Sequence, residues 1–184
     1  MGFSILFLVF LVSIAFLIFL NHLIFVAIAD SALIQQTCKS TKYYELCVSS
    51  LKSNPASPKA DTKGLAVIMV GVGISNATAT ASYLSSQVVN TSTNGTLIRK
   101  VLKQCADKYS YATNALQSTL GDLSADSFDY ASMHVMAAAD YPNACHNAFK
   151  RYSGLPYPPE LAAREDGLKR ICDVVLDIID LLGW

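Results

Sequence analysis

The chain has 184 residues, enough for one domain with a real core, and its 14 basic residues balance its 14 acidic ones. A net charge of zero gives no reason to expect steering toward nucleic acid or an acidic polymer. Apolar residues make up 52% of the sequence, and the excess has a location: Phe3 to Leu20 is almost unbroken hydrocarbon, and no charged residue precedes Asp30.

That N-terminal run, followed by Ala27-Ile28-Ala29, has the pattern of a secretory leader with a small-x-small processing site. Residues 1–29 therefore read as a signal peptide and 30–184 as the folded domain. The run has no Lys or Arg ahead of it and is long enough to span a bilayer, so an uncleaved anchor is the alternative. With the leader removed, no membrane attachment is expected. All five cysteines lie after Asp30. An oxidising compartment then favours two disulfides and one thiol left over. The sequons at Asn76, Asn90 and Asn94 fit a secreted glycoprotein.

The first element of the folded part surrounds Cys38 and Cys47. On one continuous helix these residues would stand about 13 Å apart along the axis, beyond the roughly 7 Å reach of a disulfide between Cα atoms. Pairing them requires a bend, which predicts a small helical hairpin with Ser40 or Thr41 capping its second helix. Asn54-Pro55-Ala56-Ser57-Pro58 then breaks the helix. A long helix should follow, with Leu65, Ile68, Met69, Val72, Ala79 and Tyr83 as its buried stripe and Gly64, Gly71 and Gly73 offset by close packing. Ser85 to Thr96 reads as an exposed loop.

Leu97, Val101, Leu102, Cys105, Tyr109, Ala112, Leu116, Leu120 and Leu123 form the cleanest helical stripe, ended by Gly121 to Ser127. The next helix begins near Ser127 or Asp129 and should break at Asp140-Tyr141-Pro142, leaving Cys145 at the start of a short helix. A last helix carries Leu161, Leu168, Ile171, Cys172, Val175, Ile178, Ile179 and Leu182, with Asp173, Asp177 and Asp180 on its solvated face. No stretch shows sustained period-two alternation. The pattern predicts an all-α fold, a four-helix up-and-down bundle with an N-terminal hairpin extension. A bridge between Cys105 and Cys145, on successive helices, is geometrically reasonable, which leaves Cys172 as a buried spare thiol.

Catalytic chemistry is hard to assemble. His22, His134 and His146 form no metal-ligand spacing, and no His-Glu-x-x-His, Cys-x-x-Cys or Gly-x-Ser-x-Gly occurs. Asp122, Asp126, Asp129 and Asp140 cluster before Cys145. Helix capping accounts for Asp122 and Asp129 better than paired-carboxylate glycosidase chemistry does. Neither an enzyme activity nor a cofactor is expected.

Thr37-Cys38-Lys39 with Tyr44, Leu46-Cys47, Leu51, Asn54-Pro55, Ala60-Asp61 and Gly64-Leu65-Ala66 resembles the plant invertase inhibitor and pectin methylesterase inhibitor family. The likeness continues through Cys105, Asp129-Tyr130-Ala131-Ser132, Ala137-Ala138-Ala139, Cys145 with Phe149, and Leu168-Lys169-Arg170-Ile171-Cys172. It implies a bundle with bridges Cys38 to Cys47 and Cys105 to Cys145. It also implies secretion to the cell wall (apoplast) or vacuole, and inhibition of a plant enzyme by covering or entering its active-site cleft.

Invertase-inhibiting members share a Pro-Lys-Phe tripeptide that enters the sugar site. The matching place here reads Asp126-Ser127-Phe128, or Asp129-Tyr130 with the gap placed otherwise, so the aromatic is what survives. Pectin methylesterase inhibitors use acidic side chains after the third cysteine, where this chain has Asp107, then Tyr111 and Asn114. Cys172-Asp173-Val174-Val175-Leu176 is more like the pectin branch, and Leu65 to Val70 more like the invertase branch. Pectin methylesterase is the slightly favoured target and acid invertase (β-fructofuranosidase) the alternative, with the inhibitor a monomer and Tyr111, Phe128 and Tyr130 its anchors. A reading from another class is a non-inhibitory helical binding or membrane-anchored surface protein.

Overall fold

The computed structural model describes residues 10, 13, 14 and 16, together with 32–90, 95–152 and 154–183. A helix over 32–39 (α1) and α2 (Tyr44–Lys52) make a hairpin, and a single 3-10 turn (Ser57–Lys59) follows. Four long helices complete the chain: α3 (Thr62–Asn90), α4 (Thr96–Ser124), α5 (Phe128–Lys150) and α6 (Pro159–Asp180). There is no strand among the described residues. Neighbours in sequence are neighbours in space, and α6 returns against α3, which closes a four-helix bundle. The all-α bundle with a hairpin extension is the architecture the sequence predicts. The expected leader lies outside the described residues, apart from Phe10, Ser13, Ile14 and Phe16, which are helical and exposed.

The hairpin bends where the first cysteine pair requires it. Cys38 and Cys47 are disulfide-bonded with their Cα atoms 5.6 Å apart, and both are fully buried. Thr41 does not cap the second helix. Its hydroxyl donates to the Cys38 carbonyl at 2.8 Å and so closes the end of α1. The next backbone donor, the Lys42 N–H, goes instead to Asp177 Oδ2 at 2.8 Å, while Lys42 Nζ reaches Asp173 at 3.1 Å. Two carboxylates expected on a solvated face therefore dock the hairpin onto α6, and Asp180 alone of the three is exposed.

One buried face and two boundaries differ from expectation, each because tertiary packing overrides a local signal. In α3 the buried residues are Leu65, Ala66, Met69, Val70, Gly73, Ala77, Thr80 and Leu84, with Ile68, Val72 and Tyr83 only partly covered and Ala79 exposed. Its inner face mixes large side chains such as Leu65, Met69 and Leu84 with the small Ala66, Gly73 and Ala77. A Cβ on Gly73 would stand 3.1 Å from Leu116 Cδ1 and 3.5 Å from Ile171 Cγ2, so this glycine permits close approach to α4 and α6. Gly71 has no such neighbour, as nothing lies within 4 Å of an added Cβ. Gly71→Ala should stabilise the protein by about 0.5–1 kcal/mol in denaturant unfolding, the ordinary helix-propensity gain.

The segment from Ser85 to Asn90, read as loop, is the last part of α3. The hydroxyls of Ser85 and Ser86 donate to the carbonyls of Ala81 and Tyr83, and Leu84 is buried just before them. Helix α5 also continues through Pro142. A proline in a helix interior costs about 3 kcal/mol. Here Pro142 is itself buried, Ala138 and Phe149 are buried on either side, and Cys145 is bonded to Cys105 with a Cα separation of 4.7 Å.

The core is built on Tyr109 and Phe149, surrounded by aliphatic residues from all four long helices. Cys172 is a free thiol within it, and burial pushes its pKa up to about 12, so it stays protonated and unreactive under ordinary conditions. One buried carboxylate lies among these residues. Glu165 accepts hydrogen bonds from Tyr157 Oη at 2.9 Å and Lys169 Nζ at 2.7 Å, and His146 Nδ1 stands 3.4 Å away. Tyr157 also stacks on the His146 ring at 4.2 Å and meets the Phe149 ring edge-on. Burial first, and Glu165 second, hold the Tyr157 and Tyr109 phenols above the usual tyrosine range. The cluster fastens the 154–158 connection to α5 and α6. Glu165→Ala, which strands these donors, should cost about 2 kcal/mol by urea unfolding. Glu160→Ala, which removes the more exposed pair with Arg164, should cost less than about 1 kcal/mol.

Candidate functional site: two faces on the α4–α5 side

Helix α4 is strongly amphipathic, with Val101, Cys105, Tyr109, Ala112 and Leu116 on its inner face. That placement turns Asp107, Tyr111 and Asn114, spaced by four and three, outward, and all three are exposed. Asp107 and Tyr111 line a cleft of about 380 Å³ between α4 and α5, together with Gln104, Lys108, Ala144, Ala148 and Arg151. Asn114 sits one turn further on, beyond the lining. The Tyr111 ring lies 5.7 Å from that of Tyr141, and Lys108 Nζ is 5.3 Å and 5.9 Å from the two centroids. A cation over paired rings holds Tyr111 in place while leaving it 48% exposed.

The second set occupies the α4–α5 turn. Helix α4 ends with Ser127 N–H bonded to the Asp122 carbonyl at 2.9 Å and Asp126 in the left-handed region at φ 54°. Lys63, at the start of α3, pairs with Asp126 at 2.8 Å and holds the turn from outside. His134 Nδ1 meets Asp122 Oδ2 at 2.6 Å, so Asp122 joins α4 to α5 instead of capping a helix. Ser127 is the residue just before α5, and Asp129 lies in its first turn, where the helix dipole favours it. Phe128 is half-buried beside Gly183, whereas Tyr130 is 62% exposed.

The structure thus separates the candidates. From Tyr111 to the end of α4 is about 20 Å of helix axis. Asp107, Tyr111 and Asn114 form one face, and Asp126, Ser127, Phe128 and Tyr130 another. Met133 and Met136, both more than half exposed, extend the second face along α5. Their recurrence every three residues from Tyr130 is a signal legible in the sequence that its motifs alone do not single out.

The three sequons fall in different settings. Asn76 is half-buried in the middle of α3, its Oδ1 enclosed without a partner and its Nδ2 close to Gly167 of α6. Asn90 is the exposed last residue of α3. Asn94 lies outside the described residues. Among the described residues no group of three His, Cys, Asp or Glu side chains could hold a metal ion.

A doubly bridged four-helix bundle with exposed aromatic faces is the class of molecule these observations define: a rigid scaffold that presents surface. Residues 32–178 match the family described as plant invertase/pectin methylesterase inhibitor, and the chain belongs to that family. It is 49% identical over 175 residues to the cell wall / vacuolar inhibitor of fructosidase 2 of Arabidopsis thaliana, covering 95% of this chain and 97% of that one. It is 40% identical over 164 residues to pectinesterase inhibitor 28 of Oryza sativa subsp. japonica, covering 85% and 72%. The crystal structure of a mutant form of a pectin methylesterase inhibitor from Arabidopsis superposes with a TM-score of 0.64 at 22% identity, over 78% of this chain and 93% of that one, a likeness of fold.

Proposed function

We propose that this chain is a secreted protein inhibitor that plugs the active-site cleft of a plant carbohydrate enzyme in the cell wall or vacuole, with a fructosidase (acid invertase) as its target. The single observation that carries the target is the 49% identity, across nearly the whole of both chains, with a relative named for inhibiting fructosidase. It moves the balance away from pectin methylesterase, toward which the sequence leans slightly. The two disulfides and the Lys63–Asp126 tie support the mechanism. A surface held in its docking shape before contact loses little conformational entropy on binding. The inhibitor has no catalytic activity of its own, acts as a monomer, and is delivered by removal of residues 1–29.

Pectin methylesterase remains the second reading, favoured by the exposed Asp107–Tyr111 face and by the 40% identity with the rice pectinesterase inhibitor. Titration of the purified secreted protein against both enzymes at mildly acidic pH tests the proposal. Stoichiometric loss of fructosidase activity is expected. Loss of pectin methylesterase activity alone replaces the target, and indifference of both enzymes removes the inhibitor assignment.

A further inference from the structure

The zero net charge conceals an uneven distribution along the bundle, although Lys63 lies among the acidic residues and Asp107 and Glu160 toward the basic ones. Asp122, Asp126 and Asp129 gather at the α4–α5 turn, and Asp177 and Asp180 lie at the same end, where α6 finishes near Phe128. At the other end stand Lys100, Lys103 and Lys108 of α4, with Lys150 and Arg151 where α5 finishes. None of these five cations forms an ion pair with a carboxylate among the described residues, unlike Lys42, Lys63, Arg164, Lys169 and Arg170. The Cys105–Cys145 bridge sets the two helix segments side by side, and Lys108 and Arg151 line the same cleft.

We infer that this basic end, centred on the cleft between Lys108 and Arg151, binds an acidic polysaccharide of the uronate type. Lys100, Lys103 and Lys108 spread over about 12 Å of helix axis, which suits carboxylates repeated along a chain better than a single charge. The cleft volume of about 380 Å³ falls in the range of small-molecule sites, about 300–1,000 Å³. Its other groups are those a sugar uses: the Gln104 amide, the exposed Tyr111 ring and the Asp107 carboxylate. Asp107 accepts hydrogen bonds from hydroxyls, and a uronate polymer presents free ring hydroxyls beside each carboxylate, whereas a DNA strand with the same one charge per unit offers none along its backbone. Retention on such a polymer would raise the inhibitor's effective concentration around wall-bound enzymes.

Affinity electrophoresis of the full secreted protein through gels containing polygalacturonate is the test, with fully methyl-esterified polymer and single-stranded polynucleotide in parallel gels. Retardation by polygalacturonate at low salt is expected, with loss of it at high salt and on the esterified polymer. The double variant Lys108→Gln/Arg151→Gln should bind roughly fivefold or more weakly. Lys52→Gln, on the hairpin, should bind as the unaltered protein does. Thermal melts of the same samples verify that the variants are folded. Absence of retardation, equal retardation by polynucleotide, or equal weakening by Lys52→Gln each overturns the inference. No enzyme is present in the gel, so this result and that of the inhibition titration stand apart.

Discussion

Replacing Cys105 and Cys145 together by alanine is expected to cost about 4 kcal/mol of stability, the chain-entropy value for a 40-residue loop. For a protein of this size that corresponds to a fall in Tm of roughly 8–16 °C. The local consequence is as informative as the global one. The bridge clamps α5 just past Pro142, where one backbone donor is missing, so residues 143–150 should lose hydrogen-exchange protection first. Removing Cys38 and Cys47 costs about 3 kcal/mol by the same arithmetic, with a different signature. Helix α2 of the hairpin packs mainly on α3 and α6, and the turn before it is tied to α6 through Lys42, Asp173 and Asp177. It should therefore open locally while the four-helix bundle stays folded. Urea unfolding without reductant, with exchange followed by mass spectrometry, checks both. A loss below about 1 kcal/mol for the Cys105/Cys145 pair would show that packing alone holds α5 continuous.

Some of this arrangement was legible in the chain because the signal was local. Helix α4 reads correctly from its stripe between Val101 and Leu116, since polar residues fill its outer face and Cys105 falls on the inner one, whereas Leu97 at its start is exposed and Leu120 half-buried. Helix α3 misleads because it is apolar on nearly every side. Periodicity then cannot choose a face, and the choice falls to Gly73, where Leu116 and Ile171 come closest. Pro142 misleads for the opposite reason: its local meaning is a break, and burial with a nearby disulfide overrides it. Glu165 gave no hint of burial, because its partners Tyr157 and His146 come from the connection before α6 and from α5. The cleft holding Lys108 and Arg151 depends on antiparallel pairing, which joins residues 43 apart and leaves no mark in a local window. Zero net charge likewise gave no warning that five cations of α4 and α5 gather away from the Asp122–Asp129 turn.

Tyr130→Ala is expected to weaken fructosidase inhibition by about 30-fold, the effect of losing an anchor worth about 2 kcal/mol. Tyr111→Ala should change it by less than about threefold. The asymmetry follows from the separation of the two faces, since Tyr111 stands about 20 Å of helix axis before the end of α4 and Tyr130 just past the turn. A standard interface buries about 800 Å² on each partner, and its strongest contacts gather near its centre. Both faces can fall within such a footprint, but only one can be its centre. Phe128→Ala should be at least as damaging as Tyr130→Ala, but Phe128 is half-buried beside Gly183, so its removal also loosens the turn. Tyr130 is 62% exposed and carries no such ambiguity. If pectin methylesterase is the target instead, the ranking inverts: Tyr111 becomes the costly substitution and Tyr130 the tolerated one. Inhibition constants for the three single variants against both enzymes, alongside their melting temperatures, discriminate the outcomes. Negligible sensitivity at both Tyr111 and Tyr130 would mean that the enzyme docks on another side of the bundle, and equal large losses that its footprint is centred between them.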